Sequence, residues 1–452
     1  MIASLDRLGI GRHRNPCPGR WLGPTDLAAL GIWLASRAVL LIVSLYSRYF
    51  TASGSSSSWL GLWQHWDWYR YLTVAEYGYT SGKGPAFDPD ITAFFPGFPL
   101  VLRAVHVVVP DWATAGLLVS LVAVAVAVVA LARLAQFEYQ ARHPEADPDS
   151  GAAAARTSVL MLVCAPAAVF LAAGYTESLF LAFAIPGWLA ARRGRWVSAG
   201  VLIALASTIR INGLFAAAGV FVMFLTSRPR IRDWSRSPAL LLPLAAAGGY
   251  MAYLKDVTGD WLAWLHAEQR GWQRTLTNPV TAWRNSWDIA FGPGPGQLAG
   301  RIFIRGRARM PPGGLGGRGR PVGPVRLPRP GSAPPVTVGP GGRHGLAGIG
   351  PLDQWEFKLE LLAALVGVAL VGWLAWRRRW AELVYVGLSV FGLVTSTAYM
   401  SIPREMLLWW PLWIGLAIWL ARRRWARAAY IAVSGSLMIG VALLFFSGQW
   451  AG

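Results

Sequence analysis

The chain has 452 residues, 54% hydrophobic and only 14% charged, against roughly 25% charged in a soluble domain, so the coat of a soluble globular enzyme is missing. A formal net charge of +20 would point to nucleic acid on a soluble chain. With a mean hydropathy of +0.41 and 25 tryptophans, it points instead to lipid as the solvent and argues against a nucleic-acid partner. Of the two cysteines, Cys17 falls in a basic tail and Cys164 in an apolar run, which supplies neither a disulfide framework nor a cysteine-rich metal site.

Apolar stretches approaching the ~20 residues of a bilayer span predict crossings at 27–49, 112–134, 157–172, 177–192, 196–208, 212–227, 237–254, 358–376, 380–399, 406–421 and 427–447. The fold class is therefore an all-α polytopic membrane protein with about eleven transmembrane helices. The first 25 residues carry Arg7, Arg12, Arg14 and Arg20 with no apolar core or small-residue cleavage site, so the first span is expected to be an uncleaved anchor. The run 94–110 opens Phe94-Phe95-Pro96-Gly97-Phe98-Pro99; prolines this early suit the start of an interfacial helix. Between 292 and 350 the chain is rich in Gly, Pro and Arg, with nine arginines and no acid, which predicts a disordered segment. The resulting divisions are a basic cytoplasmic tail over 1–26, a transmembrane module over 27–291 with a long outside loop at 50–111, the 292–350 segment, and C-terminal transmembrane helices over 351–452.

Six arginine clusters set the orientation: the N-terminal tail, Arg133/Arg142/Arg156, Arg192/Arg193/Arg195, the four between Arg228 and Arg236, Arg377/Arg378/Arg379, and Arg422/Arg423/Arg424/Arg427. One arrangement places them all in the cytoplasm, as the positive-inside bias requires, provided that two short helices meet near 208–213. Fourteen of the 22 acids then fall on the outside, where function is expected.

Four local signals lie on that outside face. Trp66-Asp67 with Tyr71 sets a carboxylate among aromatics at the membrane surface, where partial desolvation raises basicity and suits proton abstraction; the plain alternative is an aromatic belt with an incidental acid. Tyr175-Thr176-Glu177-Ser178 places one acid at the tip of a tight turn, and it could equally favour the start of the next helix. Arg210 and Asn212 sit in apolar sequence, where polar groups line an aqueous cavity or pair with acids. Arg404 opens a helix at the outer surface, as an anion site or a snorkelling side chain. The stretch containing Trp264, His266, Glu268 and Trp272 reads as an interfacial amphipathic helix. His65 and His266 lack a metal-ligand spacing, so no metal site is expected and a divalent-metal requirement is left open.

In order along the chain, Trp66-Asp67 with Tyr71 and Gly78-Tyr79, Phe95-Pro96-Gly97-Phe98-Pro99, Tyr175-Thr176-Glu177-Ser178-Leu179-Phe180, Arg210-Ile211-Asn212-Gly213, and Pro403-Arg404 with Trp410-Pro411-Leu412-Trp413 resemble the PIG-V family of mannosyltransferases, of the glycosyltransferase C class. The chain departs from that pattern at Ile211, often proline, and at Glu405, often uncharged. The resemblance implies inverting transfer of mannose from a polyprenyl-phosphate donor to a glycolipid, glycan or protein acceptor on the extracytoplasmic face of the cell membrane. Asp67 and Glu177 are then expected to be catalytic, and Trp66, Tyr71, Arg210, Asn212, His266 and Arg404 to bind substrate. Two alternatives are a transferase of another sugar from the same kind of carrier and a lipid-linked sugar transporter or flippase. Transporters favour related halves and midplane polar sites, whereas the polar groups here gather at one face.

Overall fold

The computed structural model describes residues 22–51, 58–79, 89–272, 274–292 and 353–449; most of the basic tail and nearly all of the 292–350 segment lie outside the described residues. In chain order the helices are α1 (Pro24–Tyr46), α2 (Asp67–Tyr77), α3 (Gly97–His106), α4 (Trp112–Arg142), α5 (Pro148–Val163), α6 (Thr176–Arg192), α7 (Trp196–Ser207), α8 (Asn212–Thr226), α9 (Ile231–Trp234), α10 (Leu242–Thr258), α11 (Ala263–Trp272) and α12 (Pro279–Phe291). They continue with α13 (Asp353–Trp376), α14 (Trp380–Val394), α15 (Ile402–Met406), α16 (Trp410–Leu420) and α17 (Arg424–Phe446). No strand occurs among the described residues. The chain is an all-α polytopic membrane protein: among the described residues five helical stretches, Pro24–Phe50, Trp112–Arg142, Ser237–Thr258, Gln354–Trp376 and Arg424–Phe446, are long and apolar enough to cross a bilayer, and α7, α8, α14 and α16 are shorter apolar helices.

Local chemistry sets several boundaries. The span expected at 157–172 begins earlier: Asp147 caps α5 by accepting the Asp149 N–H at 3.2 Å, and Pro148 occupies the first turn, where its missing N–H is harmless. That helix ends at Val163, two residues before the Ala165-Pro166 pair disfavours further helical backbone. The span expected at 406–421 is α16, which starts later, at Trp410; the five-residue α15 precedes it and Leu407–Trp409 separate the two. The interfacial helix expected at 94–110 is the ten-residue α3, and the break expected near 208–213 separates α7 from α8.

The arginine-bearing connections meet at one end of the bundle. Buried Glu138, near the end of α4, accepts hydrogen bonds from Arg142 Nη2 at 3.2 Å, Arg192 Nε at 2.6 Å and Arg379 Nη2 at 2.8 Å. Arg422 donates to the Tyr139 hydroxyl at 2.9 Å, and Arg133 pairs with Asp26 at 2.8 Å. One acid thus ties the end of its own helix to two connections far away in sequence, through Arg192 and Arg379. The antiparallel run of α6, α7 and α8 carries Glu177 and Arg210 to the opposite end.

Candidate active site

Asp67 is the first residue of α2, and the turn that starts this helix is unusual: Trp66 has φ 43 and ψ −108, a sparsely populated region that costs of order 1–3 kcal/mol. The following residue holds the turn in place. Trp68 is 1% exposed and lies against two glycines: a Cβ on Gly116 of α4 would sit 2.5 Å from its ring and one on Gly174 2.6 Å. Tyr175, next in the chain, donates from its hydroxyl to the His65 carbonyl at 2.5 Å. Arg404 reaches the same place from α15, its guanidinium over the rings of Tyr175 at 4.8 Å and Phe170 at 4.9 Å, a favourable cation–π placement.

The charges form one chain of contacts. Arg404 donates from Nη1 to Asp67 Oδ2 at 2.6 Å and from Nε to Glu177 Oε1. Glu177 Oε1 also accepts from Arg210 Nη1 at 2.8 Å, and that nitrogen donates to Thr176 Oγ1 at 2.6 Å. Arg210 Nη2 bonds Glu405 Oε1, while Asn212 Nδ2 donates to Glu405 Oε2 at 3.0 Å. Three carboxylates thus face two guanidiniums. Such a buried network is worth keeping only if its members are mutually satisfied, because removing one partner strands a charge.

These groups border a cavity of roughly 200 Å³ that is also lined by Tyr71, Phe94, Phe95, Trp264, Glu268 and Arg274. At the cavity, Arg404 Nη2 and Asp67 Oδ1 make no hydrogen bond to the described residues, and both side chains line it; Glu177 Oε2 also lacks a partner among the described residues but is buried behind the arginines. On the opposite wall Trp264 packs edge-on to Phe95 and Trp272 edge-on to Phe94. Burial holds the Glu268 carboxyl above its ordinary range, opposed by Arg274. Burial likewise raises the Tyr71 hydroxyl, so it remains a donor and sits 3.3 Å from Thr176 Oγ1.

Of the residues singled out from sequence, Asp67, Tyr71, Arg210, Asn212 and Arg404 line the cavity. Glu177 is fully buried and stands behind the two arginines. Trp66 packs on Phe445 at 5.4 Å, away from the lining. His266 is partly exposed and bonds Asp260 Oδ2 at 2.6 Å, also off the cavity; that bond holds the Asp260 carboxyl below its ordinary value. Glu405 was legible only as a departure from the family pattern, and its role as partner to Arg210 and Asn212 comes from pairing across 195 and 193 residues. Among the described residues, no group of three or more His, Cys, Asp or Glu gathers closely enough to hold a metal ion.

An all-helical, membrane-embedded bundle that holds a carboxylate and a guanidinium over one cavity defines a class of polytopic protein with a buried polar site at one end. Residues 36–229 match the family model described as Mannosyltransferase (PIG-V). Its relatives include GPI alpha-1,6-mannosyltransferase 2 of Rattus norvegicus, 34% identical over 204 residues, covering 43% of this chain and 37% of the relative. The protein of the same name from Homo sapiens is 35% identical over 162 residues, 34% of this chain and 30% of the relative. GPI mannosyltransferase 2 of Yarrowia lipolytica is 31% identical over 99 residues, 22% of this chain and 28% of the relative. The matches thus span about a third of the length of these curated relatives. No solved structure matches the chain.

Proposed function

We propose that the protein is a glycosyltransferase of the C class that moves mannose from a polyprenyl-phosphate-mannose donor to an acceptor hydroxyl on the extracytoplasmic face of the cell membrane, inverting the sugar carbon. The observation that carries this reading is the placement of Asp67 and Arg404 on one cavity, each with one polar atom that no described residue bonds. Asp67 Oδ1 takes the proton of the acceptor hydroxyl as its oxygen attacks the anomeric carbon. The bond from that carbon to the phosphate oxygen breaks, and polyprenyl phosphate leaves. Arg404 Nη2 faces the same space and stabilises the departing phosphate, while positive charge develops on the sugar ring. Glu177 acts from behind by orienting Arg404 and Arg210. Mannose as the transferred sugar rests on the names of the relatives, and the outside placement on the gathering of the arginine loops at the far end.

The test is to incubate membranes containing the protein with radiolabelled polyprenyl-phosphate mannose and with labelled nucleotide-linked mannose, in the presence of extracted glycolipids and glycans. Labelled product from the lipid donor alone is the expected result. Product only from the nucleotide donor, or none from either with a well-folded protein, would overturn the reading.

A further inference from the structure

Arg404 and Glu405 occupy a helix of only five residues, α15, too short to be stable by its own hydrogen bonds. Two features of its start make it still less self-sufficient. Ser401, the residue before it, has φ 65 and ψ 21, in the left-handed region that side chains avoid, and its hydroxyl makes no capping bond. Pro403 contributes no N–H. The Ser401 and Ile402 amides therefore need an acceptor from elsewhere, and both find the same one: Glu360 of α13 accepts Ser401 N–H on Oε1 at 2.6 Å and Ile402 N–H on Oε2 at 2.8 Å. Glu360 is 3% exposed, so water offers little competition for this pair of charge-assisted bonds. The preceding loop is tied down from the other side. Thr277 N–H donates to the Thr395 carbonyl at 2.7 Å, Asn285 Nδ2 to the Thr397 carbonyl at 2.8 Å, and Tyr399 N–H to Ser286 Oγ at 2.8 Å.

We propose that Glu360 is a positioning residue: its carboxylate caps α15 from the neighbouring helix and thereby aims Arg404 at Asp67 and Glu405 at Arg210. The inference rests on the proposed transferase reading for its effect on turnover, but its effect on α15 does not depend on that reading. A carboxylate suits the task because it offers two acceptors to two parallel donors. Glutamine offers one, and its NH2 confronts the second amide. Aspartate keeps both acceptors on a shorter arm.

The test compares the full-length wild type with Glu360→Gln, Glu360→Asp and Glu360→Ala by amide hydrogen exchange and by mannose transfer, each also in an Arg404→Lys background. Peptides covering 398–406 should lose protection at least tenfold in Glu360→Gln, with the rest of the protein unchanged, and Glu360→Asp should restore part of it. Turnover should fall at least tenfold in Glu360→Gln with little change in the acceptor KM. The loss should shrink in the Arg404→Lys background, because a positioning residue acts through the group it places. Unchanged exchange at 398–406 in Glu360→Gln would overturn the capping role. Lost protection with full turnover would overturn the link to the site, as would an equal loss in both backgrounds. If wild type transfers no mannose, the transferase reading fails, and the exchange arm still decides the cap. If Glu360→Ala does not fold, Glu360→Gln and Glu360→Asp carry the comparison.

Discussion

Asp67 and Arg404 are joined by one ion pair, yet the proposed mechanism gives them different tasks, so their variants should fail differently. Asp67→Asn keeps shape but not proton acceptance, and turnover should fall by roughly 10² to 10⁴ with donor binding preserved. Arg404→Ala should weaken donor-lipid binding and turnover together, and Arg404→Lys should recover only part, since an ammonium cannot reproduce the fork that reaches Asp67, Glu177 and the phosphate at once. Measuring donor affinity and turnover separately at matched expression checks both; near-normal turnover in Asp67→Asn removes it as the base. His65, two residues before Asp67, adds a pH dependence. It packs against Trp66 and Phe445, and burial pushes its imidazole down to about 4 from the usual 6.5. The fold therefore prefers neutral His65. That contribution is complete above pH 6.5 and is lost as the pH falls toward 4, by up to about 3 kcal/mol. Thermal unfolding of the protein in lipid discs between pH 7.5 and 4 should show the fall, and His65→Phe should flatten it.

At the level of elements, α2 depends on a tight crossing of α4 by Trp68. Gly116→Ala and Gly174→Ala each drive a methyl group into that ring, which should cost about 1–3 kcal/mol and, by shifting the first turn of α2, reduce turnover more than stability alone explains. Gly248→Ala in α10, where a methyl group meets nothing, is the control and should be neutral or slightly stabilising. Melting temperature and activity across the three variants separate these outcomes. Much of this layer was legible beforehand. Apolar length located the long helices, and the Thr208–Gly213 interruption marked the break between α7 and α8, because length, charge and proline act locally. What escaped was decided by contact. In sequence Glu360 is one of the outside acids and Glu138 one of the inside acids, and nothing within a few residues of either reveals the two backbone amides that reach Glu360 or the two guanidiniums, Arg192 and Arg379, that reach Glu138 from distant parts of the chain. The late start of α16 at Trp410 was hidden for a related reason: the apolar residues Leu407–Trp409 fit a helix as well as the break that separates α15 from α16.

For the whole molecule, the gathering of arginine loops at Glu138 and Tyr139 predicts orientation. In a background with Cys17 and Cys164 replaced, Val108→Cys, at a position 78% exposed near the active-site end, should react with an impermeant thiol reagent in intact cells. Ile231→Cys, at a position 92% exposed at the arginine end, should react only after permeabilisation. The reverse pattern would turn the molecule over and place the chemistry in the cytoplasm. Deleting about 295–348 should leave folding and turnover largely intact, because a run of nine arginines with no acid and no apolar period offers little to bury; loss of turnover in a well-expressed deletion would assign it a role.

That same stretch divides the ion-pair chain. Asp67, Glu177, Arg210 and Asn212 precede it and lie inside the family-matched residues 36–229, whereas Glu360, Arg404 and Glu405 follow it. Arg404 grips two carboxylates of the first part and Glu405 binds an arginine and an amide of it. At the far end, Arg379 and Arg422 of the second part reach Glu138 and Tyr139 of the first. Cut at the 292–350 stretch, the gene should therefore encode two fragments that are inert when made singly and regain transfer when made together in one membrane, each recognising the other by the charges that, once joined, line the proposed site.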